Sequence, residues 1–219
     1  MWVKICGTTN LEDALAAVDA GADALGFVFA ESPRRVEPGV AREIVRSMPE
    51  GIEKVGVFVN ETAERISEIV QQAGLTAVQL HGDESLEFAN QLAEHRRLRV
   101  IPVLPITKIR EVERQTGAVC IMPGPLIDTI LIDSAMRDKR GGTGRTWDWG
   151  LSRGFTQAFR AGKVKVIVAG GLTPRNVRAA IETMLPWGVD VASGVEREPG
   201  KKDHEKVREF VKAAKNTDL

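Results

Sequence analysis

With 219 residues, 43% of them apolar, the chain has the length of one large domain rather than several. Lysine plus arginine and aspartate plus glutamate each total 30, a formal charge of zero that supplies no electrostatic pull toward nucleic acid or an anionic membrane surface. No apolar run approaches the roughly 20 residues of a membrane span, and no signal-peptide core precedes the first strand. We therefore expect a cytoplasmic protein without a leader. The cysteines, Cys6 and Cys120, match neither a disulfide framework nor a zinc motif, and His81, His95 and His204 stand at unrelated spacings, so no metal site is expected.

The first strand runs through Val3, Lys4, Ile5 and Cys6, with Val3 and Ile5 on one face and Lys4 and Cys6 on the other. Gly7 stops it. Thr9 and Glu12 have the spacing of a capping box, and Leu11, Ala14, Leu15 and Val18 recur at helical spacing until Gly21. An apolar strand over 24–29 leads into the polar turn 31–35, then a helix over 38–48 opened by Pro38. A strand over 54–59 precedes a helix striped by Ala63, Ile66, Ile69, Val70 and Ala73. Strand 77–81, helix 86–94, strand 99–104 and a shorter helix over 109–116 follow. Residues 117–125 fit no element. Strand 129–133 runs into a glycine-rich loop over 137–145 and a helix starting near Trp147. Strand 164–169 ends at Gly170 and Gly171, after which Thr173 and Pro174 read as an N-cap and a first helical residue. Strand 188–193 and a helix over 203–215 complete the chain.

Eight strand–helix units of about 25 residues, end to end, require a mostly parallel sheet and can close into a (βα)8 TIM barrel. One domain over 1–219 is expected. A doubly wound open sheet is the alternative, but no Gly-x-Gly-x-x-Gly fingerprint follows any strand.

The C-terminal strand tips carry Cys6, the Arg34–Arg35 turn, Asn60, His81, Leu104 with Pro105, Asp133, Gly170 with Gly171, and Ser193 with Gly194. In a barrel all eight tips meet at one mouth. Glycines after the seventh and eighth strands fit a phosphate site, because they let backbone N–H groups approach an anion. Each pair alone also reads as a tight turn. Cys6, before a helix N-terminus, has a setting that favours thiolate, although a lone cysteine is more often an inert core residue. Asp133 reads as a helix cap, a loop hydrogen-bonder or an acid. An acid and a base above a phosphate anchor point to proton transfer on a phosphorylated sugar. The loop 141–144, which includes Gly142, has the flexibility of a lid. Lys4, facing the barrel interior, needs a partner, and Asp190 on the adjoining eighth strand is the candidate. Asp190 is equally a candidate substrate contact, and His81 is either a structural histidine or a ligand contact.

Residues 4–14, 21–29, 32–34, 55–60, 78–83, 141–144 with Trp147 and Trp149, 169–172 with Asn176 and Val177, and 189–196 with 199–203 resemble phosphoribosylanthranilate isomerase. The blocks run in order from the first strand to the last helix. The resemblance implies a monomeric or homodimeric (βα)8 barrel of tryptophan biosynthesis that uses no cofactor. Its small phosphorylated sugar substrate would undergo an Amadori rearrangement. By the same resemblance Asp133 is the general acid, Cys6 the general base, and Arg34 faces the anthranilate carboxylate. The turn is one residue shorter than the family's, so Arg35 is the alternative for that role. Trp147 replaces a phenylalanine, and 122–125 departs from the family before the sixth strand. A histidine-pathway sugar isomerase is similar in the phosphate loops but has aspartate where Cys6 stands. A broader-specificity isomerase and a barrel that binds phosphate without catalysis are the other readings.

Overall fold

The computed structural model of the chain describes residues 1–96, 98–107, 109, 111, 123–133 and 153–217. Eight parallel strands close into a barrel in sequence order, β1 pairing with β8. They are β1 (Trp2–Cys6), β2 (Ala24–Val28), β3 (Glu53–Phe58), β4 (Ala77–Leu80), β5 (Arg99–Pro105), β6 (Thr129–Asp133), β7 (Lys165–Ala169) and β8 (Gly188–Val191). Closure overturns the open-sheet alternative: with β1 bonded to both β2 and β8, no edge is left.

The helices among the described residues are α1 (Leu11–Asp19), α2 (Pro38–Arg46), α3 (Ala63–Ala73), α4 (Leu86–Arg96), α5 (Arg153–Ala161), α6 (Val177–Met184) and α7 (His204–Lys215). A short antiparallel hairpin, β9 (Glu196–Glu198) and β10 (Lys201–Lys202), separates β8 from α7. The expected helix over 109–116 falls largely outside the described residues, as do the 141–144 loop and Cys120; the helix expected to start near Trp147 is described from Arg153 on, as α5. Of the unplaced stretch 117–125, Pro123 is tied down by Asn90, whose Nδ2 donates to its carbonyl at 2.5 Å.

Strand alternation sorts the side chains into two cores. Val3, Ile5, Leu25 and Phe27 point outward and pack with the helices, where Phe155 and Phe159 of α5 are each 1% exposed. Burying one such aromatic contributes about 2–3 kcal/mol. Inside the barrel Ala24, Val55, Ala77, Ile101, Leu131 and Ile167 interlock. The bottom is closed by Trp2 stacked on Trp187 at 5.2 Å, with the Arg99 guanidinium 5.8 and 5.5 Å from the two rings. Arg99 also pairs with Glu53 there, so aromatic rings and ion pairs plug that end and leave the top as the place for chemistry.

Two helix starts differ from expectation. The N-cap of α1 is Asn10, not Thr9: Asn10 Oδ1 accepts from Asp13 N at 2.9 Å, and Thr9 Oγ1 donates to the Gly200 carbonyl at 2.5 Å. The cap of α6 is not Thr173. A turn comes first, in which Asn176 Oδ1 accepts from Thr173 N at 2.7 Å, and the helix starts at Val177. Strand β8 ends at Val191, and Ser193 opens a 3-10 turn over Ser193–Val195.

Candidate active site

A cavity of about 820 Å³ opens at the C-terminal end of the barrel, lined by residues from the tips of β1, β2, β3, β4, β6, β7 and β8. Cys6, Arg34, Arg35, His81, Asp133, Gly170, Gly171, Asp190, Ser193 and Gly194 all line it. Gly142 lies outside the described residues.

Inward alternation on β1 places Lys4 one layer below Cys6. Lys4 is fully buried, and its Nζ lies 2.9 Å from Asp190 Oδ1, its register partner on β8. The approach is not aligned as a hydrogen bond, so the contact is an ion pair. Burial pulls the Lys4 ammonium down, but Asp190 and Cys6 outweigh it and hold Lys4 above the ordinary lysine value. Asp190 also borders the cavity, so the structural and the substrate-facing readings of this residue are compatible.

Cys6 is buried. Burial pushes its thiol up, while Lys4 and Lys202 pull the other way and Asp190 adds to the rise. The net direction is up. The helix N-terminus that follows does not by itself make this cysteine a thiolate; the two buried ammonium groups are its main support.

Asp133 ends β6 on the far side of the mouth, its Oδ2 3.5 Å from His81 Nε2. Gln79 Nε2 lies 2.9 Å from His81 Nδ1. Gln79 therefore holds the ring through one nitrogen while the other faces Asp133. Gln79, which precedes His81 on the same strand face, is a residue the sequence reading passed over, although its inward parity with Ala77 was visible. Asn60 is a brace: its Oδ1 accepts from Asp83 N at 2.7 Å and its own N–H donates to Glu84 Oε1 at 2.6 Å, locking the β3 and β4 tips together.

Gly170 and Gly171 have φ of +91° and +65°, a left-handed pair that side-chain-bearing residues rarely adopt. Gly194 lies so close to the Leu172 carbonyl oxygen that a Cβ there would overlap it. The two loops are therefore pressed together as one backbone surface, as a phosphate cradle requires.

Arg34 and Arg35 occupy different settings. Arg34 is 16% exposed at its side chain and donates from Nε to Glu196 Oε1 at 2.8 Å and from Nη2 to Glu196 Oε2 at 2.7 Å. Arg35 is 54% exposed at the rim and pairs with Glu37 at 3.2 Å. Glu196 in turn accepts from Lys202 Nζ at 2.9 Å. Burial lifts the Glu196 carboxyl, and Arg34 and Lys202 more than reverse this, leaving it below the ordinary glutamate value. Burial also draws Lys202 below the ordinary lysine value, against the pull of Glu196. Neither Glu196 nor Lys202 was assigned a role from sequence.

Residues 3–213 match the family model described as N-(5'phosphoribosyl)anthranilate (PRA) isomerase. The chain belongs to that family. It is 48% identical to the N-(5'-phosphoribosyl)anthranilate isomerase of Thermotoga neapolitana over 214 residues, 97% of this chain and 98% of the relative. Among solved structures, it is similar to a phosphoribosyl anthranilate isomerase in complex with reduced 1-(o-carboxyphenylamino)-1-deoxyribulose 5-phosphate. That similarity has a TM-score of 0.80 and 40% identity, over 98% of each chain. A third likeness is to monomers generated from the dimeric enzyme of Thermotoga maritima, at a TM-score of 0.80 and 41% identity over 98% of each chain. The closed eight-stranded barrel thus agrees with family membership.

Proposed function

We propose that this chain isomerises N-(5-phosphoribosyl)anthranilate to 1-(2-carboxyphenylamino)-1-deoxyribulose 5-phosphate, an aldose–ketose step of tryptophan biosynthesis. The observation that carries this reading is the placement of Cys6 and Asp133 across one cavity that also holds the Arg34 guanidinium and the paired glycine loops. The substrate has one feature for each. Its phosphate suits the backbone of Gly170, Gly171, Ser193 and Gly194, and its carboxylate suits Arg34, the inner of the two arginines. The reduced ketose phosphate held by the solved relative has the same two anionic ends.

In the first step the carboxylic acid of Asp133 gives its proton to the ribose ring oxygen. The C1′–O bond breaks, and the anthranilate nitrogen lone pair forms a C=N⁺ iminium. The Cys6 thiolate then takes the proton from C2′, the C–H electrons form the C1′=C2′ bond, and the C=N⁺ π electrons return to nitrogen, giving a neutral enolamine. Tautomerisation moves the hydroxyl proton to C1′ and leaves the ketone. No electron enters or leaves, so the rearrangement balances within the substrate. His81, next to Asp133, orients the acid, and the buried lysines favour the thiolate form of the base. Asp190 borders the cavity, within reach of the sugar. The working unit is a single domain over 1–219, as a monomer or a homodimer, the Thermotoga maritima relative being a dimer. No described helix is long and apolar enough to cross a membrane.

The histidine-pathway reading is not favoured, since that isomerase is expected to carry aspartate at the position of Cys6. The test is turnover of phosphoribosylanthranilate by the purified protein, followed by anthranilate fluorescence. Consumption well above the spontaneous breakdown rate is expected. Cys6→Ala and Asp133→Asn should each lower kcat about 100-fold or more. No consumption by the wild-type protein would remove the assignment, and full activity in either variant would remove that residue from its role.

A further inference from the structure

Arg34 and Cys6 lie far apart in sequence, yet both meet the β9–β10 hairpin. Lys202 on β10 is 1% exposed and donates from Nζ to the Cys6 carbonyl at 2.6 Å, to the Ala192 carbonyl at 3.4 Å and to Glu196 Oε1 at 2.9 Å. Glu196 on β9 takes the Nε and Nη2 donors of Arg34. The Arg34 side chain lies against the chain at Gly7, the residue after Cys6, where an added Cβ would fall 2.5 Å from Arg34 Cδ. One buried ammonium therefore joins the tip of β1, the tip of β8 beside the phosphate loop, and the arginine at the exit of β2.

We propose that Glu196 and Lys202 are positioning residues for anthranilate recognition: Glu196 fixes the guanidinium of Arg34, and Lys202 ties that fixed group to the Cys6 strand tip. The inference rests on the isomerase reading above. Three physical points support it. With the side edge of Arg34 spent on Glu196, the remaining end edge, one N–H each from Nη1 and Nη2, is the face that can grip a carboxylate bidentately. A guanidinium locked this way loses little freedom when the substrate arrives. Charge is the third point. Arg34 with Glu196 alone sums to zero, whereas Arg34, Glu196 and Lys202 together sum to one positive charge, which attracts an anion. Neither Glu196 nor Lys202 lines the cavity; both act on it through their bonds to Arg34, Cys6 and Ala192, which do.

The experiment compares inhibition constants for two ligands in Glu196→Gln, Lys202→Met and Arg34→Ala, and in the Glu196→Gln/Arg34→Ala pair. Reduced 1-(o-carboxyphenylamino)-1-deoxyribulose 5-phosphate carries both anionic ends, and ribose 5-phosphate lacks the carboxylate. Glu196→Gln and Lys202→Met should weaken the reduced ligand about tenfold or more, with ribose 5-phosphate changed less than about twofold. In the double variant Glu196→Gln should add little to Arg34→Ala, because both act through one guanidinium. Lys202→Met should also lower kcat, and Lys202→Arg should recover part of it. Equal weakening of both ligands, or full additivity in the double variant, overturns the proposal by reducing the pair to a general structural role. If Lys202→Met does not fold, the near-isosteric Glu196→Gln decides the outcome. Absence of turnover in the wild-type protein is a failure of the isomerase reading alone, since the ligand pattern is read from binding, by calorimetry if need be.

Discussion

Replacing Lys4 with methionine keeps the length of the side chain and removes its charge from the barrel interior. The pair it breaks has Nζ and Oδ1 at 2.9 Å, with side chains 0% and 9% exposed. At an effective dielectric near 20 the direct attraction at that distance is about 6 kcal/mol. Much of it is offset by desolvation of both ions, but the cost of removing one partner is not, and such losses run to about 3–5 kcal/mol. Asp190 borders the cavity and retains some access to water, which places the expected loss at the lower end, about 3 kcal/mol. For a chain of this size each kcal/mol lowers Tm by about 2–4 °C, so a fall of roughly 6–12 °C is predicted. The double variant Lys4→Met/Asp190→Asn leaves no orphaned ion and should recover about 2 kcal/mol of that loss. Urea unfolding followed by circular dichroism measures all three variants, with Asp190→Asn closing the cycle. The sign of the pH effect is also fixed. Lys4 is held above its ordinary value, so the pair is intact at neutral pH and its contribution is lost only as pH rises through the folded value. A loss under about 1 kcal/mol in Lys4→Met, or a double variant as damaged as the sum of the singles, would refute the reasoning.

Two further predictions concern the Cys6 thiol, the base of the proposed mechanism, and acid stability. A Cβ at Gly26 would lie 2.7 Å from Cys6 Sγ and 3.1 Å from Cys6 Cα, so Gly26→Ala must displace the thiol. Steady-state kinetics should show kcat reduced about 10- to 100-fold with an unchanged circular dichroism spectrum, and a wild-type rate would contradict the placement of Cys6. Glu196 and Asp13 are both held below their ordinary values of 4.5 and 3.8, against the upward push of burial, Glu196 by Arg34 and Lys202, Asp13 by Lys202 N–H, His204 and Asn10. Depressed carboxyls stabilise the fold above their unfolded values, and that stability is lost as pH falls through the folded ones. Stability should therefore be level above about pH 5 and drop below it, and Glu196→Gln or Asp13→Asn should flatten the acid limb in denaturant titrations. An acid limb identical to wild type in both variants would show that these groups do not govern it.

Much of the architecture was legible because barrel strands announce themselves through simple local rules. Each apolar run alternated or ended in a polar tip, and eight such runs spaced by helices leave few topologies open. Closure then made β1 a neighbour of β8, so the pairing of Lys4 with Asp190 followed from strand count, and the register confirms it. The gathering of Cys6, His81, Asp133 and the two glycine-bearing loops at one mouth follows from the same count, because parity and strand ends decide direction. Local chemistry was less decisive at the helix starts. Thr9 and Asn10 are both good caps by residue type, and the choice fell to Asn10 because the Thr9 hydroxyl is drawn to the Gly200 carbonyl, 191 positions away. The cluster of Arg34, Glu196, Lys202 and the Cys6 carbonyl belongs to the same class. Its members are separated by up to 196 positions, carry no periodicity, and become neighbours only when the β9–β10 hairpin folds back onto the tip of the first strand. The state of Cys6 is tertiary too: the sequence places a thiol before a helix, but burial and two lysines, one beneath it and one behind it, set how readily it yields its proton. Residue pattern determined which groups face the mouth, since that depends on near neighbours along the chain. How those groups are charged, held and aimed depends on burial and on partners from distant segments, and only the folded barrel supplies both.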